Sequence, residues 1–192
     1  MVAKRSIPNG GRLPFTLHQH WLGVADSAAP RAAVTVARID DTLVVRADLL
    51  DDDPFNQARE DNSRTWELGD VLEVFFARSD ERGYGEVHVT PDNVRLHLRF
   101  RDEQHHREIT DIGDVAADPE LIRSAAWLTS RGWAAEVALP LRVRAGDRLR
   151  LSICRYDWTR GVAEPVLSSS SPHPVLAFHR PHEWEEIVVG CD

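Results

Sequence analysis

The chain has 192 residues, 42% of them hydrophobic and 28% charged, which is enough apolar material for one sizeable core and too much for a disordered chain. A formal net charge of -8 argues against a nucleic acid or an anionic membrane as partner, since either requires a concentrated basic surface. No apolar run approaches the roughly 20 residues that cross a bilayer, and two cysteines, Cys154 and Cys191, supply neither a disulfide framework nor a thiolate metal site.

The opening Met1-Val2-Ala3-Lys4-Arg5 runs into Ile7-Pro8-Asn9-Gly10-Gly11, where a signal peptide needs a continuous apolar stretch. No export signal is legible there, so a cytoplasmic location is expected. Residues 1–20 read as an N-terminal extension and 21–192 as one domain. Segments that alternate apolar and polar residues with the period of a half-buried strand follow at 34–40, 43–49, 71–77, 84–90, 94–100, 133–139 and 148–156, with weaker examples at 122–128 and 186–189. Turn residues separate them, including Asp40-Asp41, Pro91-Asp92-Asn93 and Ala145-Gly146-Asp147. Helical periodicity is hard to find. The pattern predicts an all-β protein, an antiparallel β-sandwich of the jelly-roll or immunoglobulin-like kind, with long polar loops at 51–69, 101–121 and 157–185.

Alternation also assigns side chains to faces. Over 71–77, Leu72, Val74 and Phe76 share one face, while Val71, Glu73 and Phe75 share the other. Over 84–90, Val87 and Val89 oppose a polar row of Tyr84, Glu86, His88 and Thr90. Over 94–100, Val94, Leu96, Leu98 and Phe100 read as inward, leaving Arg95, His97 and Arg99 outward. If these strands are neighbours, the outward faces form a strip of Glu, His and Arg, suited to a ligand rich in hydroxyls because charged groups make strong, often bidentate hydrogen bonds. Trp66 and Trp158 flank strands in loops where a ring can stay exposed, whereas Trp133 alternates with Ala135, Val137 and Leu139 and reads as core.

The stretch Thr65-Trp66-Glu67-Leu68-Gly69-Asp70-Val71-Leu72-Glu73-Val74-Phe75 resembles the Trp…Gly-Asp-x-x-Glu-x-Phe signature of family 9 carbohydrate-binding modules, which are DOMON-related β-sandwiches. The runs 84–91 and 133–140, then Arg155-Tyr156-Asp157-Trp158 and Phe178 to Trp184, extend the resemblance over roughly 21–189. It implies a non-catalytic module that clamps a sugar between two tryptophans. Carried over by motif, Trp66 and Trp158 become the stacking pair, with Trp184 as an alternative second ring. Glu73 and Arg155 become the hydroxyl anchors; Tyr84, Glu86, His88 and Arg99 join them from the face reading alone. The resemblance further implies a saccharide ligand, association with a glycoside hydrolase, and calcium in some members. Asp52 and Asp53, in an acidic run with Asp51, and Asp70 are the residue types such an ion takes.

Rival readings are weaker on the residues. Glu73 and Glu86 would have to lie about 5 Å apart to serve a retaining glycosidase, and nothing in the sequence marks either as the protonated partner. His18-x-His20, His105-His106 and His179-x-x-His182 lack the helix or hairpin context of a zinc site. Met1 is the one methionine, which argues against a Met/His haem site. Exposed tryptophans would also suit a protein-interaction module.

Overall fold

A computed structural model describes residues 5–23 and 31–191. Strands β1 (Arg5–Ile7), β2 (Arg12–Phe15), β3 (Ala32–Ile39), β4 (Thr42–Leu50), β5 (Val71–Arg78) and β6 (Tyr84–Val89) are followed by β7 (Arg95–Phe100) and one short helix, α1 (Glu103–Glu108). Then come β8 (Arg123–Thr129), β9 (Gly132–Ala138), β10 (Arg148–Asp157), β11 (Val166–Ser169) and β12 (Glu185–Val189). They form a seven-stranded sheet in the order β1-β12-β10-β5-β6-β7, with β11 also paired to β10, and a five-stranded sheet in the order β2-β3-β4-β9-β8. Pairing is antiparallel apart from β1 on β12.

The expected sandwich follows from the alternation. Leu72, Val74, Phe76, Val87, Leu149, Leu151 and Ile153 on the larger sheet meet Val34, Val45, Ala47, Trp133 and Val137 on the smaller one, all buried. At about 25 cal/mol per Å2 of apolar surface removed from water, this interior is the main force joining the sheets.

Three strands escape the sequence reading because they are too short to show a period. β1 and β2 lie within residues 1–20, the stretch that reads as an extension, yet they pair with β12 and β3. β2 carries Pro14, which an edge strand tolerates because an edge leaves one side of its backbone unpaired. β11 is masked by its serines, of which Ser168 and Ser169 are buried. Helix α1 has no buried residue and hence no apolar stripe; Asp102 caps it by accepting from the His105 backbone N–H at 2.8 Å.

The face assigned to β7 is corrected. Register places Phe100 opposite Tyr84, Leu98 opposite Glu86 and Leu96 opposite His88, and directly paired residues project to the same side. Leu96, Leu98 and Phe100 therefore join the outer face of the large sheet, where they build a second core with Phe75, Tyr84, Phe178 and Trp184. Arg95, His97 and Arg99 project the other way. There Arg95 pairs with Asp61 and Glu120, His97 Nδ1 meets the Asp118 carbonyl at 2.9 Å, and the Arg99 guanidinium lies 5.9 Å from the Phe76 ring centre. An apolar face need not mean the interior of the sandwich when loops cover the outside as well.

Gly85 sits opposite Phe76 on β5, and a methyl group at this position would come within 2.2 Å of the Phe76 ring. Gly85→Ala is therefore expected to cost about 1–3 kcal/mol through overpacking, read as a lower urea midpoint with unchanged slope; an unchanged midpoint would show that the ring moves freely aside.

Candidate functional site

The polar row on the outer face becomes a buried triad. Glu73 on β5 lies directly across from His88 on β6, and Glu86 lies two residues from His88 on the same strand. His88 Nε2 is 2.8 Å from Glu73 Oε1 and 2.8 Å from Glu86 Oε1, while its Nδ1 is 2.8 Å from Thr65 Oγ1. Glu73 and Glu86 are each only 3% exposed and His88 is fully buried. Burial opposes the imidazolium, but the hydrogen bonds and charges of the two glutamates outweigh it and push the His88 pKa up to about 9. Burial pushes Glu73 up despite His88. Burial also pushes Glu86 upward, but the surrounding histidines leave it below its ordinary value. Among these, His88 sustains the Glu86 charge at neutral pH, since burial lowers His179 to about 4 and leaves it neutral there.

Above the two glutamates opens a cavity of about 190 Å3. Half-buried Trp66 forms one wall, its ring edge-on to His88 at 5.7 Å between centres. Tyr156 and Phe100 contribute further ring surface. His106 and His179 complete the surround as a stacked pair, 3.5 Å between centres at 12°. The Tyr84 hydroxyl lies 2.9 Å from His179 Nδ1, and His179 Nε2 lies 3.5 Å from Glu86 Oε2. Among the described residues, Glu73 Oε2 and Glu86 Oε2 are buried without a hydrogen-bond partner.

The remaining expected site residues lie elsewhere. Trp158 is half-buried and its Nε1 donates to the Trp66 carbonyl at 3.0 Å, but its ring lines a separate groove of about 400 Å3 with Phe55, Leu68 and Arg160. The two tryptophans thus do not line one pocket. Trp184 is 4% exposed, stacks on Phe75 at 5.2 Å and donates its indole N–H to the Phe178 carbonyl, so it is core rather than a platform. Arg155 is fully buried and, by strand alternation, lies on the face of β10 opposite to Cys154, the partner of Glu73. It donates to the Leu50 carbonyl at 2.8 Å, to Asp157 at 2.5 Å and to Asp51 at 3.3 Å, and so cannot share a ligand with Glu73. Arg99, as corrected above, also lies on the other face.

The acidic set expected to hold calcium does not assemble. Asp52 is exposed, and Asp53 accepts from the Arg160 backbone and pairs with its guanidinium. Asp70 instead groups with Asp51 and Asp157. Both Asp70 oxygens already accept backbone N–H groups, from Phe55 and Trp158 at 2.7 Å each. Burial pushes Asp70 up to about 7. Arg155 brings a fixed positive charge to Asp51 and Asp157, so these two carboxylates are compensated within the chain itself.

Sequence reasoning missed Tyr156, His106, His179 and Thr65. Tyr156 was within reach of the alternation argument, because it follows Cys154 by two residues on β10. His106 lies in the short helix α1, which has no apolar stripe, and His179 in a loop with no period. A roomier depression of about 570 Å3 on the outside of the small sheet is lined by Asp41, Arg142, Arg123, Glu136 and small aliphatic side chains, without an aromatic ring. The acid-floored, ring-walled pocket on the large sheet is therefore the candidate site.

The geometry defines a two-layer β-sandwich carrying a small pocket on the outer face of its larger sheet. No protein-family model matches the chain, and no curated protein matches its sequence. Solved structures share its fold. One from Bacteroides uniformis, named for a proposed role in carbohydrate binding, superimposes with a TM-score of 0.71 at 12% identity, over 97% of this chain and 100% of that one. Two structures of a family 9 carbohydrate-binding module from Caldicellulosiruptor kristjanssonii, in complex with cellotriose and with glucose, each give a TM-score of 0.66 at 16% identity. They cover 98% of this chain and 94% and 96% of theirs. At such identities the likeness establishes the fold.

The triad makes stability depend on pH. With a folded pKa of about 9 against an ordinary 6.5, the stabilisation from His88 is fully present below about pH 6.5 and is lost as pH rises through about 9. The raised Glu73 acts in the same direction, beginning at lower pH. Unfolding free energy from urea titrations is expected to fall by on the order of 1–3 kcal/mol between those limits, with a flatter profile in His88→Gln. A wild-type profile that is level or rising across this interval would show that the triad does not retain its proton.

Proposed function

We propose that this chain is a non-catalytic carbohydrate-binding module that receives a sugar in the Trp66 pocket. The observation that carries the reading is the half-buried Trp66 ring standing beside two buried carboxylates, each with an unpartnered oxygen. A pyranose presents flat C–H surface to a ring and O–H groups to acceptors, and this pocket offers both. The shared fold with modules seen holding cellotriose and glucose supports the assignment. A cavity of about 190 Å3, below the roughly 300 Å3 at which drug-sized sites begin, suits one ring or a chain end rather than a polymer lying across the sheet.

Recognition here uses one tryptophan with Tyr156 and the stacked histidines, in place of a two-tryptophan clamp. His88 Nε2 lies between Glu73 and Glu86 and keeps both side chains engaged with it, which favours binding over hydrolysis. A glycoside hydrolase acting on the same sugar is the kind of partner such a module would serve.

Calorimetry against glucose and a panel of mono- and oligosaccharides tests the assignment. Trp66→Ala is expected to lose on the order of tenfold or more in affinity while its melting transition stays cooperative, and Trp158→Ala to lose far less. Equal affinity in wild type and Trp66→Ala would remove this pocket as the site.

A further inference from the structure

Resting on that reading, we infer that the sugar taken by this pocket carries a positive charge: a protonated amino sugar whose ammonium group is received by Glu73 and Glu86 within the ring of aromatic walls. The donor and acceptor inventory leads there. Glu73 Oε1 and Glu86 Oε1 are spent on His88, leaving Glu73 Oε2 buried without a hydrogen-bond partner and Glu86 Oε2 with only His179 Nε2 nearby, at 3.5 Å, on residues 3% exposed. A neutral hydroxyl brings one hydrogen but also two lone pairs that need donors. An ammonium brings three N–H groups and no acceptor, which complements the carboxylate oxygens of the floor, while the N–H groups of neutral His106 and His179 and the Tyr156 hydroxyl on the walls remain for the sugar's own oxygens.

The charges agree. Glu73 and Glu86 together can carry two negative charges and His88 one positive. His106 and His179, which face the same space, are held neutral chiefly by burial. Tyr156 and Tyr84 are likewise kept protonated by burial. No lysine or arginine is among the described residues lining the cavity. Arg64 approaches the Trp66 ring at 5.7 Å and is paired with Glu67. Indole and phenol faces themselves attract cations, most strongly when water is excluded. Glu73, Glu86 and His88 could in principle gather a metal ion, but His88 Nε2 stands at hydrogen-bond distance from both carboxylates and holds the proton that a metal would have to displace.

Calorimetry on the full chain at about pH 7, where Glu73 with its pKa of about 7 is about half ionised and an ammonium of this kind still largely protonated, compares glucosamine, glucose, N-acetylglucosamine and methylammonium chloride. Glucosamine is expected to bind at least about tenfold more tightly than glucose or the acetylated sugar, and the preference to shrink in Glu86→Gln. Should Glu86→Gln fail to fold, added salt provides the second readout: it should weaken glucosamine binding and leave glucose binding unchanged. Glucose binding as tightly as glucosamine would overturn the charge assignment while leaving the carbohydrate site standing. No sugar binding at all would remove both. Methylammonium binding as well as glucosamine, or zinc chloride raising the melting temperature where glucosamine does not, would make this a cation site with no part for the sugar ring.

Discussion

One imidazole between two buried carboxylates organises the outer face of the large sheet. Two carboxyl groups at 3% exposure need a nearby positive group if either is to stay charged, and His88 supplies it at 2.8 Å to each, holding Glu86 ionised while burial still pushes Glu73 up. Thr65 anchors the far side of the ring. The turn that carries Thr65 also carries Trp66, so the contact that stabilises the buried charge sets the wall of the pocket. Removing His88 would therefore disturb charge and shape together.

That arrangement is possible because the large sheet is covered on both sides. All of β5 from Val71 to Ala77 is buried, although its two faces meet different neighbours. One side forms the sandwich interior; the other carries the second core around Phe75, Leu98, Phe100 and Trp184. The segments that supply this cover, including α1 and the run from Phe178 to Trp184, also deliver His106 and His179 to the pocket. Packing and site come from the same loops, which is why long polar connections persist in a compact domain.

A second ionic group, on the opposite side of β10, ties the two sheets together. Arg155 reaches across to the Leu50 carbonyl and to Asp51 at the end of β4, while also pairing with Asp157 on its own strand. Asp70 lies in the same cluster and fixes the backbone of Phe55 and Trp158. Through Trp158, whose backbone N–H donates to Asp70 and whose indole N–H donates to the Trp66 carbonyl, this cluster bears on the Trp66 turn from behind.

Sequence alone determined the sandwich and its principal strands, because a two-residue period with one apolar face has few other folded solutions. It also placed Glu73, Glu86 and His88 on one face, since that follows from counting along β5 and β6. It misjudged β7, where Leu96, Leu98 and Phe100 were as apolar as any interior strand but served the outer core. It grouped Trp66 with Trp158, and Arg155 with Glu73, by motif order, whereas the fold places Trp158 over a separate groove and Arg155 on the far side of the sheet. Only tertiary structure could decide these points. Periodicity specifies which residues share a face, but strand register and loop path decide what that face meets, and both are set by contacts between residues distant in the chain.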